Sequence, residues 1–384
     1  MLTKNINFKN FKLKKSNIKI KKDLDIVLRE NNEILKSLKK GYKNSYNKKT
    51  ISKFKRHSHF RIIGMGGSIL GAESIYDFLK HKIKKNFYFN SNLRAKIKHS
   101  KKKNQANLII SKSGNTLETM VNSNIIIKKN DKNIFITENR ESYLYLLARK
   151  LKAEIVHHNN FIGGRYSVLS EVGMLPAELM GLSISKFKQL NNLIKNKKFI
   201  NALIINVNNT LFFLKQKKFN SIILNYDESS DKLFHWYQQL VAESLGKKGK
   251  GIMPIVSSMP KDNHSVMQLY LDGPKNNFFT FFHAKERKSD QINSSKILSS
   301  SSYLRNKDLS KVILSQKLAT EKVFLNKNIP FRSFNIINRN ETTIGELFCF
   351  FILETILLGR ALNVNPYDQP SVELIKKETK KILI

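Results

Sequence analysis

The strongest constraint on this chain is a repeated unit: a short apolar run, a polar or glycine-rich turn, then a helix. Phe60-Arg-Ile-Ile-Gly-Met-Gly-Gly-Ser68 is the first example, with a helix expected through about residue 79. Leu108-Ile-Ile-Ser111 followed by Lys112-Ser-Gly-Asn-Thr-Leu-Glu-Thr119 is the second, and Asn133-Ile-Phe-Ile-Thr137 begins a third. Further on, residues 221–225, 278–282 and 331–337 read as strands, and 232–245 and 311–327 as helices. Strands alternating with helices predict an α/β fold with doubly wound, mostly parallel sheets. The pattern divides near residue 190 into two α/β domains, 58–190 and 191–345. A basic, mostly helical arm (1–57) precedes them, with a helix expected over about 23–40 from the spacing of Leu24, Val27, Leu28, Asn31 and Leu35. A helical segment (346–384) follows, with a break at Asn365-Pro366.

Composition supports a folded chain of this size. Hydrophobic residues make up 41% of 384, enough for two cores of ordinary dimensions. Cys349 stands alone, which excludes a disulfide framework and fits a reducing cytoplasm. The N-terminus has no apolar stretch of signal-peptide length. The apolar run 347–358 is too short to span a bilayer and contains Glu354, so it is expected to be a buried helix and no membrane partner is expected. The net charge of +40 invites a nucleic-acid reading. However, the excess is mostly Lys spread along the whole chain, beside abundant Asn and Ile, a bias that an AT-rich genome produces by itself. Readers of nucleic acid cluster Arg with aromatics, so no nucleic-acid partner is expected.

Several segments carry chemistry. Glycines in Gly64-Met-Gly-Gly-Ser68 let backbone N–H groups approach an anion at a helix start, although such a turn also serves as a plain tight bend. Ser111-Lys-Ser-Gly-Asn-Thr116 places three hydroxyls and an ammonium between a strand and a helix that Thr116 would cap. Its Lys precedes its Gly, unlike a nucleotide-binding Walker loop, so a sugar-phosphate loop is the better reading and a hydroxyl-rich cap the plainer one. In Phe161-Ile-Gly-Gly-Arg-Tyr-Ser167, Arg165 follows two glycines, which would deliver a permanent cation to an anion or a developing enediolate. Along 232–245, Leu233, Tyr237, Leu240 and Ser244 share one helical face, and Gln239 and Glu243 share an adjacent one. A carboxylate on the shoulder of a buried helix suits a proton-transferring base; the same spacing also describes a surface Glu on an amphipathic helix. His264 follows Asp262-Asn263, a capping pair that would open a helix, and an imidazole there suits proton shuttling or simple packing. His157 and His158 have no partners at metal-ligand spacing, so no metal is assigned. Lys376 lies in a tail already rich in Lys and has no distinction by composition.

Taken in order, these stretches resemble the glucose-6-phosphate isomerase family. The resemblance rests on Gly64 to Ser68, Ser111 to Thr116, Gly163 to Ser167, Gln239-Leu-Val-Ala-Glu-Ser-Leu-Gly-Lys247, Asn263-His264 with Gln268, and Tyr367-Asp-Gln-Pro-Ser-Val-Glu-Leu-Ile-Lys376. It implies two sugar-isomerase (SIS) domains, a homodimer, and interconversion of glucose 6-phosphate and fructose 6-phosphate through a cis-enediol in glycolysis and gluconeogenesis, without cofactor or metal. By the same resemblance Glu243 would move the proton between C1 and C2, and Arg165 would steady the enediolate. His264, supplied by the neighbouring subunit, and Lys376 would open and close the ring. Ser111, Lys112, Ser113 and Thr116 would hold the phosphate, and Gly66, Ser68, Gln239 and Gln369 would line the sugar site. The chain departs from the family pattern at Glu171, where a small residue is usual, and at Ser371, which replaces a Gly after Pro370. Two neighbouring readings remain: a bifunctional phosphoglucose/phosphomannose isomerase, and a non-catalytic sugar-phosphate-binding SIS protein that would need neither Glu243 nor Lys376.

Overall fold

The computed structural model describes every residue except 13–17, 31, 97–101 and 287. Among the described residues, ten strands form two five-stranded sheets. The first is built from β2 (His59–Gly64), β3 (Asn86–Asn90), β4 (Gln105–Ile110), β5 (Lys132–Thr137) and β6 (Glu154–His157), in the order β3-β2-β4-β5-β6 and parallel throughout. The second contains β1 (Ile6–Lys9), β7 (Asn220–Asn225), β8 (Met253–Ser258), β9 (Asn277–Ala284) and β10 (Phe331–Ile336), in the order β1-β10-β9-β7-β8. Its strands are parallel except β1, which runs antiparallel to β10. The α/β class with two mostly parallel sheets is therefore the fold of the chain.

Strand order fixes where a ligand can enter. The chain lays down β2, crosses to β3 on one side, and then returns to β4 on the other. The carboxyl ends of β2 and β4 thus diverge into loops on opposite faces, which opens a crevice at the point where the winding reverses. Their register pairs Gly64 with Ile110, so the glycine turn and the 111–116 loop leave neighbouring strand ends.

Two long helices join the halves. Helix Asp231–Leu245 packs on Leu70–Phe78, the helix that follows the glycine turn, and so carries Gln239 to the turn at the carboxyl end of β2, with Glu243 one helical turn on. Helix Glu341–Ala361 contains the apolar run 347–358 and is buried along most of its length, as expected. It is long and apolar enough to cross a membrane, yet it packs instead against Ile18–Arg29, Lys197–Lys215 and Asp231–Leu245. Phe348 meets Trp236 edge-on, with ring centroids 4.8 Å apart.

The first 57 residues differ from the expected helical arm. Ile6–Lys9 is a strand because its alternation puts Ile6 in the core and lays Phe8 on Phe334, with centroids 4.4 Å apart. The helix expected over 23–40 is two pieces, Ile18–Arg29 and Glu33–Ser37. Asn32 caps the second piece by accepting from Leu35 N at 2.9 Å. Asn31, counted in the expected spacing, lies outside the described residues.

Candidate active site

Three backbone segments converge at the crevice. A Cβ on Gly67 would sit 2.1 Å from the Gly164 carbonyl carbon and 2.4 Å from the Arg165 nitrogen, so these two turns touch only because residue 67 has no side chain. Gly66 has φ +52°, and a Cβ there would come within 2.8 Å of Gln239 Nε2. The glycine turn is thus a packing device that draws Arg165 and Gln239 together. Ser68 closes the same turn and is half-buried.

Arg165 is 2% exposed and uses all five of its N–H donors. Nε donates to Ser244 Oγ at 2.8 Å, Nη1 to Glu243 Oε2 at 3.3 Å and to Gln369 Oε1, and Nη2 to the carbonyls of Pro366 at 2.8 Å and Asp368 at 3.0 Å. Tyr166 Oη donates to the Pro366 carbonyl at 2.9 Å, and burial pushes its phenol up, so it keeps the proton this bond needs. Ser244 already accepts from Arg165, so its own hydroxyl donates to Tyr166 Oη at 2.9 Å. Trp236 Nε1 fixes the Arg165 carbonyl at 3.0 Å. This network ties the 366–369 segment to helix Asp231–Leu245 through one guanidinium.

Glu243 faces the open side, with its side chain 25% exposed. Oε1 accepts from Gln239 Nε2 at 2.9 Å, and Oε2 rests beside Arg165. The Gln239 carbonyl oxygen is buried and has no hydrogen-bond partner among the described residues. A carboxylate held at both oxygens, beside a buried cation, is arranged to take and return a proton next to a developing negative charge.

At the neighbouring strand end, Ser111 Oγ and Thr116 Oγ1 lie 2.8 Å apart, and Gly114 takes φ +66° to close the loop. Thr116 occupies the N-cap position of Leu117–Ile126, but its side chain does not cap, contrary to expectation. Its hydroxyl pairs with Ser111, so no side-chain cap covers the helix N-terminus, the end that favours an oxyanion. Ser113 Oγ accepts from Asn115 N at 3.2 Å. Lys112 Nζ donates to the Asn160 carbonyl at 2.7 Å and lies 3.6 Å from Glu138 Oε1. Burial holds its ammonium below the usual lysine range, with Glu138 opposing.

The structure does not bring every expected residue here. His264 ends a short 3-10 turn, Lys261–His264, rather than opening an α-helix, and it is exposed. The Asp262 carboxylate expected to cap that helix instead accepts from Ser258 N at 2.8 Å, and the helix begins only at Met267. Lys376 lies on Val372–Leu383, a helix with no buried residue, where it pairs with Glu373 at 2.6 Å. Neither side chain meets Glu243 or Arg165 within the chain. Sequence reasoning also missed contributors. Ser244 and Tyr166 complete the guanidinium network; the signal for Ser244 was a hydroxyl standing on an apolar helix face, and that for Tyr166 its place next to Arg165. Among the described residues no group of three or more His, Cys, Asp or Glu is placed to hold a metal. Cavity size alone does not find the site: spaces of about 610 Å³ beside Phe212 and 720 Å³ beside His283 share no residue with it.

Comparison with known proteins identifies the family. The family model described as phosphoglucose isomerase matches residues 10–384. The glucose-6-phosphate isomerase of Methanocaldococcus jannaschii is 34% identical over 376 residues, covering 92% of this chain and 87% of its own. That of Acholeplasma laidlawii is 31% identical over 355 residues, covering 84% and 82%. The fold is shared with a crystal structure of a glucose-6-phosphate isomerase from Chlamydia trachomatis, with a TM-score of 0.73 at 16% identity over 99% of this chain and 89% of that one. It is also shared with a hypothetical protein from Thermus thermophilus, with a TM-score of 0.81 at 21% identity over 95% and 94%. The chain belongs to the phosphoglucose isomerase family.

Proposed function

We propose that this chain interconverts glucose 6-phosphate and fructose 6-phosphate in the cytoplasm, as a step of glycolysis and gluconeogenesis. The observation that carries the reading is the Glu243 carboxylate, held by Gln239 and set 3.3 Å from the buried Arg165 guanidinium. Glu243 takes the proton from one of C1 and C2 and returns it to the other. The cis-enediolate formed between these steps is stabilised by the buried Arg165 guanidinium. The hydroxyls of Ser111, Ser113 and Thr116, with Lys112, hold the phosphate at the adjacent strand end. Gly66, Ser68, Gln239 and Gln369 line the sugar.

His264 acts on the ring oxygen from the second subunit of a homodimer. Its exposure, and its separation from Glu243 within one chain, support that assignment. Lys376 works with it in ring opening. Lys376 follows the Arg165-bonded Gln369 by only seven residues, on a helix that begins at Val372, and Ile375 and Ile382 of that helix are exposed apolar groups suited to burial on docking.

The deciding experiment is solvent-deuterium exchange at C2 of fructose 6-phosphate, read by NMR alongside a coupled turnover assay. The folded dimer is expected to exchange and turn over, and Glu243→Gln to lose roughly three orders of magnitude in both while retaining phosphate binding. Turnover that survives in Glu243→Gln removes Glu243 as the base. No conversion by the intact dimer ends the proposal.

A further inference from the structure

One buried carboxylate is tied to the loop that meets Lys112, and the reaction does not use it. Glu171 is 1% exposed. Its Oε1 accepts from Asn159 N at 2.7 Å and its Oε2 from Tyr42 Oη at 3.2 Å. Asn159 in turn has every polar group engaged. Its side-chain amide donates to Glu33 Oε2 at 3.0 Å and to Tyr42 Oη at 3.4 Å, and its Oδ1 accepts from Phe161 N at 2.9 Å. Its carbonyl accepts from His158 Nδ1 at 2.9 Å and from Ile162 N at 3.2 Å. The next carbonyl along, that of Asn160, receives the Lys112 ammonium at 2.7 Å. Three residues beyond Ile162 the same loop delivers Arg165.

A buried carboxylate is expensive unless its partners are fixed. Here those partners include the backbone of a loop that meets Lys112 through Asn160 and goes on to deliver Arg165. Resting on the function proposed above, we propose that Glu171 is a positioning residue for phosphate recognition. By clamping Asn159 it sets the loop whose Asn160 carbonyl holds Lys112 beside the 111–116 hydroxyls. Tyr42, from the N-terminal segment, closes the clamp from the other side. Glu171 touches no substrate and acts only through Asn159 and Asn160.

The test compares E171A, E171Q and Y42F in the full-length enzyme. Calorimetry with inorganic phosphate is read beside KM and kcat for fructose 6-phosphate. In E171A the phosphate Kd and the KM are expected to rise together by roughly tenfold, the scale of one lost charge-assisted hydrogen bond. The kcat is expected to stay within about twofold, the pattern of lost uniform binding. E171Q keeps an acceptor for the Asn159 N–H and is expected to restore most of the phosphate affinity. An E171A variant that loses thermal stability while Kd and KM stay at wild-type values reduces Glu171 to a structural role and overturns the proposal. If E171A does not fold, Y42F decides: an intermediate rise in phosphate Kd supports the clamp, and an unchanged Kd refutes it. Phosphate binding needs no turnover. Failure of the isomerase reading would therefore appear as wild-type protein that binds phosphate but converts nothing, which is distinct from failure of the clamp.

Discussion

Arg165 Nη1 lies 3.3 Å from Glu243 Oε2, while Nη2 of the same guanidinium holds the carbonyls of Pro366 and Asp368. One side chain therefore orients the proposed base and anchors the segment that leads to Lys376. A lysine has a single point of charge and cannot reproduce a five-donor fork. Arg165→Lys is expected to lower kcat by about a hundredfold or more, the scale of one oxyanion-stabilising donor. Arg165→Ala, which takes a donor from the Pro366 and Asp368 carbonyls and the cation from the facing carboxylate, is expected to lower unfolding free energy by about 3 kcal/mol. Steady-state kinetics and urea titration check the two halves. Wild-type kcat in Arg165→Lys would remove Arg165 from the reaction.

Much of this was legible in the sequence, and what was not has a shared cause. The six strands evident from apolar runs, β2, β4, β5, β7, β9 and β10, are all interior to their sheets. The four that were not, β1, β3, β6 and β8, are the four edges. Interior parallel strands are covered on both faces and read as continuous apolar runs, whereas edge strands such as Asn86–Asn90 alternate or carry polar residues that resemble loops. The site divides along a similar line. Gly66, Arg165, Gln239 and Glu243 were marked by local pattern: glycines before an Arg, and a Gln and Glu one helical turn apart. The clamp on Asn159 was invisible because its members, Glu33, Tyr42, Asn159 and Glu171, meet only after folding.

The assignment of His264 across a subunit boundary gives a sharp expectation. Glu243→Gln and His264→Ala homodimers should each be nearly inactive. After the two are mixed, unfolded and refolded together, half of the dimers are hybrids. Each hybrid has one site carrying both lesions and one carrying neither. Activity should return to about a quarter of wild type by that counting. Mixtures that stay as inactive as their parents would place His264 in its own chain's site, and a fully active His264→Ala homodimer would place it outside the chemistry.

The glycine turn predicts an order of severity. A side chain at position 66 meets the mobile amide of Gln239 at 2.8 Å and a positive φ, a left-handed conformation that costs roughly 1 kcal/mol outside glycine. A side chain at 67 meets backbone at 2.1 Å, which has no rotamer to give. Gly66→Ala is expected to fold and lose activity by displacing Gln239 from Glu243. Gly67→Ala is expected to destabilise the protein more, by prising the 163–165 turn from the first sheet. Thermal melts and kinetics on the pair test this, and Gly67→Ala as stable as Gly66→Ala would contradict it.

Lys188 carries the last prediction. Its amine is buried, donates to the carbonyls of Ser37 at 2.6 Å and of Leu169, and lies 4.9 Å from the centre of the Tyr42 ring. Burial pushes it down to about 7, while an unfolded lysine titrates near 10.4. Below pH 7 the residue is protonated in both states, and the folded protein bears the full cost of a buried ammonium. Above pH 7 the folded chain has shed a proton that the unfolded chain retains, so stability should rise with pH, by up to about 1.4 kcal/mol per unit. The clean window ends near pH 8.5. There the unfolded Cys349 thiol begins to ionise while the buried one is held up to about 12, which pulls stability the other way. Lys188→Met should therefore flatten the slope between pH 7 and about 8.5, measured by urea unfolding at several pH values across that window. Parallel slopes for the variant and the parent would mean that Lys188 keeps its proton in the folded state, held as an ammonium by the two carbonyls and the ring face.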